Sequence, residues 1–226
     1  MIITIDGPVA SGKSTVARLL AQKLGFYYLY TGFLYRGFAY VLAHAYNYDT
    51  ENFSCPRDAD VDDIIYNHTF EYRYEEGQPK IIFDGNDITP FLKTKEVDNW
   101  ASLVSAYPHV RHVVFEHQVR IGKAHDVVAE GRDTGTVVFP SADYKFFLTS
   151  PVEVRAERWQ RMQQKMGFNY SLEECLKAVR ERDARDADRS HSPLRRAPEA
   201  LYIDNAHMTI SETIDLMLQK MKRSPA

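Results

Sequence analysis

Eight consecutive residues near the start of the chain, Gly7-Pro8-Val9-Ala10-Ser11-Gly12-Lys13-Ser14, fit the pattern G-x-x-x-x-G-K-[ST]. A tight loop around phosphate must bring backbone N–H groups within hydrogen-bonding reach, which glycines at 7 and 12 permit because they carry no Cβ. A helix starting at the end of the loop adds the positive end of its dipole. In that cradle Lys13 is the point charge for the β and γ phosphates of a nucleoside triphosphate, and the Ser14 hydroxyl is a ligand for Mg²⁺ bridging the same groups. Thr15 is placed to assist with phosphate oxygens. The competing reading, a glycine turn before an ordinary surface helix, fits an eight-residue match in this context poorly. The sequence holds no N-K-x-D element, which disfavours guanine selection and a switch GTPase. The loop thus implies ATP as donor and leaves the acceptor open.

Arginines are the second chemical signal. Arg182, Arg185 and Arg189 are spaced i, i+3 and i+7, with Asp186 four residues after Arg182, so a helix would cluster three guanidiniums on one face. Transfer between two phosphates gathers negative charge that planar guanidiniums neutralise and orient. A solvated helix laced with ion pairs is the bland alternative, because Glu181, Asp183, Asp186 and Asp188 nearly balance the arginines. Arg155, Arg158 and Arg161 form a similar stripe interleaved with Glu153 and Glu157, readable as lid arginines or as surface pairs. Glu130-Gly131-Arg132-Asp133 follows an apolar run, and a carboxylate there can order the waters around Mg²⁺. A phosphate acceptor, with its second pKa at about 6, is mostly dianionic at neutral pH and needs no general base.

The elements that must position these groups are legible in outline. Ile2 to Asp6 reads as a strand, and Val16, Leu19, Leu20 and Leu24 fall at helical spacing up to Gly25. Tyr27 to Leu29 reads as a strand leading to a helix that Thr31 can cap. Phe70, Tyr72 and Tyr74 alternate, Gly77-Gln78-Pro79 turns, and Lys80 to Asp84 returns, which predicts a hairpin-bearing insertion. Val97 to Val104 and the stretch after Pro108 predict two helices. Asp126 to Ala129, Tyr144 to Leu148 and Leu201 to Ile203 predict further strands, and their alternation with helices implies an α/β fold with a parallel sheet. Capping boxes are expected at Ser150/Glu153, Ser171/Glu174 and Thr209/Glu212.

Composition narrows the partners. At 44% hydrophobic and 26% charged residues the chain should fold throughout. A net charge of -3 provides no global field for nucleic acid or anionic membrane, so neither is an expected partner. No apolar run approaches the roughly 18 residues of a spanning helix, and Met1 leads straight into Ile2 without a basic n-region, which predicts a soluble, cytoplasmic protein. Cys55 and Cys175 form neither a C-x-x-C pair nor a disulfide framework and are expected to be reduced.

The chain resembles the bacterial cytidylate kinases from Ile3 to about Lys222. The resemblance rests on Ile5 to Thr15, Thr31-Gly32 with Leu34-Tyr35-Arg36, Glu130 to Pro140 (EGRDTGTVVFP), Arg182 to Pro193 and Ile203-Asp204. It implies a P-loop nucleoside monophosphate kinase-like three-layer fold: a core of residues 1–36 and 111–226, a nucleoside-monophosphate domain inserted at 37–110, and a lid near 155–170. It implies transfer of the γ-phosphoryl group of ATP to CMP and dCMP with Mg²⁺, by a monomer. The acceptor contacts it implies are Thr31, Arg36, Ser102, Arg111, Arg132, Asp133, Arg182, Asp186 and Arg189. Of these, Arg36, Arg132 and Arg189 would hold the acceptor phosphate, Asp186 would face the sugar, and Ser102, Arg111 and Asp133 would read the cytosine edge. Cytosine carries an exocyclic amine that a carboxylate can accept, where uracil carries an oxygen. Lys13, Arg132, Arg182 and Arg189 would serve catalysis, with Ser14 and, through water, Glu130 at the metal.

Two positions depart from the family pattern. Where the family usually has D-[ST]-G-A ahead of Leu-Tyr-Arg, this chain has Tyr30-Thr31-Gly32-Phe33. Tyrosine is neutral at pH 7, so Tyr30 does not replace a carboxylate that balances arginines or organises metal-bound waters, a role Glu130 can share. Phe33 either narrows the acceptor pocket or packs among the aromatics of the insertion. The departures keep two alternatives open: a kinase of UMP or of a non-nucleotide acceptor, and a nucleotide-binding module with impaired turnover.

Overall fold

A computed structural model describes residues 1–223. In chain order the elements are β1 (Ile2–Asp6), α1 (Lys13–Leu24), β2 (Tyr27–Tyr30), α2 (Thr31–Ala45), α3 (Asp58–Tyr66), β3 (Phe70–Glu75), β4 (Gln78–Phe83), β5 (Asn86–Asp87), α4 (Lys95–Val104), α5 (Pro108–Ala124), β6 (Val127–Gly131), β7 (Tyr144–Thr149), α6 (Val152–Lys165), α7 (Leu172–Ala187), β8 (Leu201–Asp204) and α8 (Ile210–Arg223). A π-type turn over Thr134–Val138 follows β6. The main sheet has the order β2-β6-β1-β7-β8, and β7 pairs in parallel with both β1 and β8. This is the parallel α/β architecture that the alternation of strands and helices predicts. Its central strands are buried, with Ile3, Ile5, Val127, Val128, Phe146 and Leu148 among the core residues and Thr4, Asp6 and Lys145 as buried polar positions between them.

Packing divides the chain into two compact units, Met1–Phe26 with Val128–Ala226, and Tyr27–Val127. In the first, α1 packs on α8 and α6 on α7. Cys175 and Val179 of α7 meet Ala156 of α6 there, with Trp159, Tyr170 and the loop residue Val9 against the cluster. In the second, β3, β4 and β5 form an antiparallel sheet, and α2 packs on α4 and on β4.

Local chemistry accounts for the element ends. The predicted boxes at Ser171/Glu174 and Thr209/Glu212 form, each hydroxyl accepting from the glutamate N–H while the glutamate carboxylate accepts in return. The predicted box at Ser150/Glu153 does not form. Pro151 is the N-cap of α6, one residue later than the box requires, and the Ser150 hydroxyl accepts instead from Arg158 at 3.1 Å. Thr31 is likewise not a cap but the first helical residue of α2, which follows β2 directly through an extended Tyr30. The hairpin turns at Glu76-Gly77, one residue earlier than Gly77-Gln78-Pro79, since Glu76 itself takes a positive φ of 53° beside Gly77 at 75°.

Candidate active site

Backbone proximity explains the first glycine of the loop. A Cβ at Gly7 would collide with the carbonyl oxygen of Leu148 on β7. Gly12 caps α1 at φ 88°, a conformation that costs glycine little. The Lys13 ammonium donates to the Pro8 carbonyl at 3.0 Å and is buried. Burial and the neighbouring Arg132 charge pull its pKa down to about 7, against the opposing pull of Glu130, Asp186 and Asp6. Lys13 therefore shares one electrostatic neighbourhood with β6 and the end of α7. The Ser14 hydroxyl donates to Glu130 Oε1 at 2.8 Å. These are two hard oxygen donors at the carboxyl end of a sheet strand, a donor set suited to a hard divalent cation shared with phosphate oxygens. Thr15 is exposed.

The loop is braced from behind by residues far away in sequence. Arg155 donates to the Val9 carbonyl at 3.1 Å, to Asp183 at 2.5 Å and to the Ser150 carbonyl at 2.9 Å. Asp183 also accepts from the Val9 N–H. Arg158 donates to the side chain and the backbone carbonyl of Asn205, each at 2.9 Å, and Asn205 donates to the Ser11 carbonyl at 3.0 Å. Arg155 and Arg158 are thus tied to the carbonyls of the phosphate loop, while Arg161 is exposed and pairs with Glu157.

Beside the loop, Asp186 is fully buried and gathers three guanidiniums. Arg132 donates to it at 2.7 Å, Arg189 at 2.6 Å, and Arg182 lies 3.6 Å away. Burial alone would raise this carboxyl, but Arg132, Arg182 and Arg189 together outweigh it and hold the pKa at about 2. The predicted trio needs correction in one member. Arg185 is exposed, because one helical step from the buried Asp186 turns it outward, and Arg132 from the end of β6 completes the cluster. Arg189 lies past the end of α7 and reaches back. Asp133 is buried at the start of the π-type turn, where its carbonyl accepts from Val137 and Val138.

Sequence reasoning missed Asp6. From the end of β1 its carboxylate accepts from the Thr134 N–H at 3.0 Å, the Thr134 hydroxyl at 2.7 Å and the Gly135 N–H at 2.7 Å, fixing the turn after Arg132-Asp133. Burial pushes its pKa up to about 6, against those hydrogen bonds. Partners 128 and 129 residues away leave no local signal.

The second unit holds the other predicted acceptor residues. Arg36 donates to the Tyr30 hydroxyl at 2.5 Å and to Asp98 at 2.6 Å. Thr31 and Ser102 are buried, and the Ser102 Oγ has no hydrogen-bond partner. Arg111 is buried, donates to the Ser105 carbonyl at 2.9 Å, and lies 5.6 Å from the centre of the Tyr35 ring. The Ser105 hydroxyl donates to the Ser102 carbonyl at 3.0 Å, so α4 and α5 hold Ser102 and Arg111 in one network. Phe33 is buried with its ring 4.8 Å from that of Tyr30.

A phosphate loop between β1 and α1, a hydroxyl–carboxylate pair at its mouth and a guanidinium cluster in the same unit define a nucleotide-dependent phosphotransferase of the P-loop class. The family model described as cytidylate kinase matches residues 3–223. The chain is 38% identical over 218 residues to a cytidylate kinase of Aeromonas salmonicida, covering 96% of this chain and 92% of that protein. It is 37% identical over 220 residues to one of Thermodesulfovibrio yellowstonii, covering 97% of each. A solved structure of an uncharacterized protein from Eubacterium ventriosum shares the fold at a TM-score of 0.55 and 10% identity over 99% of both chains. The chain belongs to the cytidylate kinase family.

Proposed function

We propose that this protein transfers the γ-phosphoryl group of ATP to CMP, giving ADP and CDP, and accepts dCMP as well. The observation that carries this reading is the family match over residues 3–223, joined to a donor loop and an arginine cluster in one unit. Kinases of this family act on ATP and generally require a divalent metal. The Ser14–Glu130 oxygen pair fits Mg²⁺, with Glu130 acting through water, and the metal when bound would withdraw charge from the β and γ phosphates.

The chain's own residues supply the rest. Backbone N–H groups of residues 7–15 cradle the donor, and Lys13 neutralises the phosphoryl group in flight. Arg132, Arg182 and Arg189 stabilise the charge shared by donor and acceptor, with Asp186 fixing their planes. We assign Arg36, with Arg132 and Arg189, to the acceptor phosphate, Thr31 to the acceptor, and Ser102, Arg111 and Asp133 to the cytosine edge. The buried, unpartnered Ser102 hydroxyl supports that assignment, since such a group costs free energy unless a ligand satisfies it. Residues 37–110 are assigned as the acceptor-binding insertion and 155–170 as the lid. No helix among the described residues is long and apolar enough to cross a membrane. By family resemblance we place the protein in the cytoplasm as a monomer, with neither nucleic acid nor membrane as partner.

ADP release should be measured with MgATP against CMP, dCMP, UMP, AMP and GMP. Turnover with CMP and dCMP well above the other acceptors, lost in Lys13→Ala and on removing the metal, is the expected result. Equal or greater turnover with UMP would sink the cytosine assignment.

A further inference from the structure

We infer that Tyr30 is a positioning residue for the acceptor. Its hydroxyl and the Asp98 carboxylate hold the Arg36 guanidinium from two sides, and the Phe33 ring fixes the tyrosine in place. The inference rests on the reading of Arg36 as a contact to the acceptor phosphate. Tyr30 and Phe33 stand at the start of α2, either side of Thr31-Gly32, and the structure brings their rings together. The two rings lie 4.8 Å apart. Both are close to Arg36, whose guanidinium carbon is 5.3 Å from the centre of the Tyr30 ring and 5.9 Å from that of Phe33. The two aromatics thus make a cation-facing ring pair with a hydroxyl at its tip.

The tyrosine has few ways to move. Its ring packs against Tyr28 at 6.2 Å and against Phe33, and a Cβ at Gly32 would stand 2.8 Å from its Cε2 atom, so the ring occupies the space that a side chain there would need. Its backbone N–H donates to the Tyr72 hydroxyl at 2.9 Å, and that hydroxyl donates to the Tyr28 carbonyl at 2.8 Å, which pins the end of β2 to the hairpin. A hydroxyl held this firmly accepts one guanidinium N–H at 2.5 Å while Asp98 accepts another at 2.6 Å. The tyrosine hydroxyl is a charge-assisted hydrogen-bond acceptor for Arg36 and so fixes one edge of the guanidinium. A guanidinium held in one plane also loses less freedom when it binds.

The test is a steady-state comparison of Tyr30→Phe in the wild-type and Arg36→Met backgrounds, varying CMP and ATP separately, with calorimetric CMP binding alongside. Phenylalanine keeps the ring and removes only the hydroxyl. We expect KM and Kd for CMP to rise about tenfold, as for loss of a hydrogen bond to a charged group, with kcat and KM for ATP within about twofold. In the Arg36→Met background Tyr30→Phe should change nothing further. Phe33→Ala, which frees the ring, should raise KM for CMP by a smaller factor. An unchanged KM for CMP in Tyr30→Phe, or an equal rise with and without Arg36, would overturn the inference while leaving CMP phosphorylation intact. Wild-type protein that neither binds nor phosphorylates CMP would overturn the functional reading, and this inference with it.

Discussion

Asp6 and Asp186 are both buried carboxylates in the same unit, yet burial has opposite outcomes for them. Asp6 accepts its hydrogen bonds from neutral donors, the N–H groups of Thr134 and Gly135 and the Thr134 hydroxyl, and burial with the nearby Asp133 charge raises its pKa to about 6. Asp186 meets three guanidiniums and sits at about 2. Neutral donors offset part of the cost of burying a charge, whereas guanidiniums reverse it. The difference separates two jobs. Asp6 fixes a turn, and Asp186 keeps three arginines in register for phosphate chemistry.

The largest break in that comparison is Asp186→Asn. Removing the buried shared anion leaves three half-buried guanidiniums uncompensated, and we expect a loss of about 3 kcal/mol in urea unfolding together with a large fall in kcat. A variant as stable and active as wild type would mean that the cluster organises nothing. Asp6→Asn should cost far less at pH 7. Burial disfavours the ionised Asp6 there, and the variant removes that charge while losing part of the hydrogen bonding.

Acidification sharpens the contrast, because the two signs differ. Asp6, raised above its unfolded value of 3.8, contributes stability that is full below about pH 4 and lost as pH rises through about 6. Asp186, depressed below 3.8, contributes stability that is full above about pH 4 and lost as pH falls through about 2. Unfolding free energies of wild type minus Asp6→Asn should therefore decline between about pH 4 and 6. A flat difference across that window would remove the raised pKa from the account. The smallest effect is expected at Arg161→Ala, whose pairing with Glu157 is exposed, and a thermal melt should not distinguish it from wild type.

The donor half of the site is legible in sequence because its residues are consecutive, so one loop between a strand and a helix carries the whole arrangement. Helical spacing also foretells that Arg182 and Asp186 meet, but the same rule misplaces Arg185, since periodicity does not say which face is buried. The braces behind the loop were invisible for a different reason. Asp183 reaches Val9 across 174 residues and Asn205 reaches Ser11 across 194, and no local pattern encodes such pairs. Asp98, 62 residues from Arg36, escaped in the same way.

The most direct test of the central claim is to incubate the protein with MgATP labelled at the γ-phosphate and CMP, and to identify the labelled product beside a Lys13→Ala control. Label is expected in CDP from the wild type and none from the variant. Label that stays in ATP, or that appears only as free phosphate, would contradict that claim.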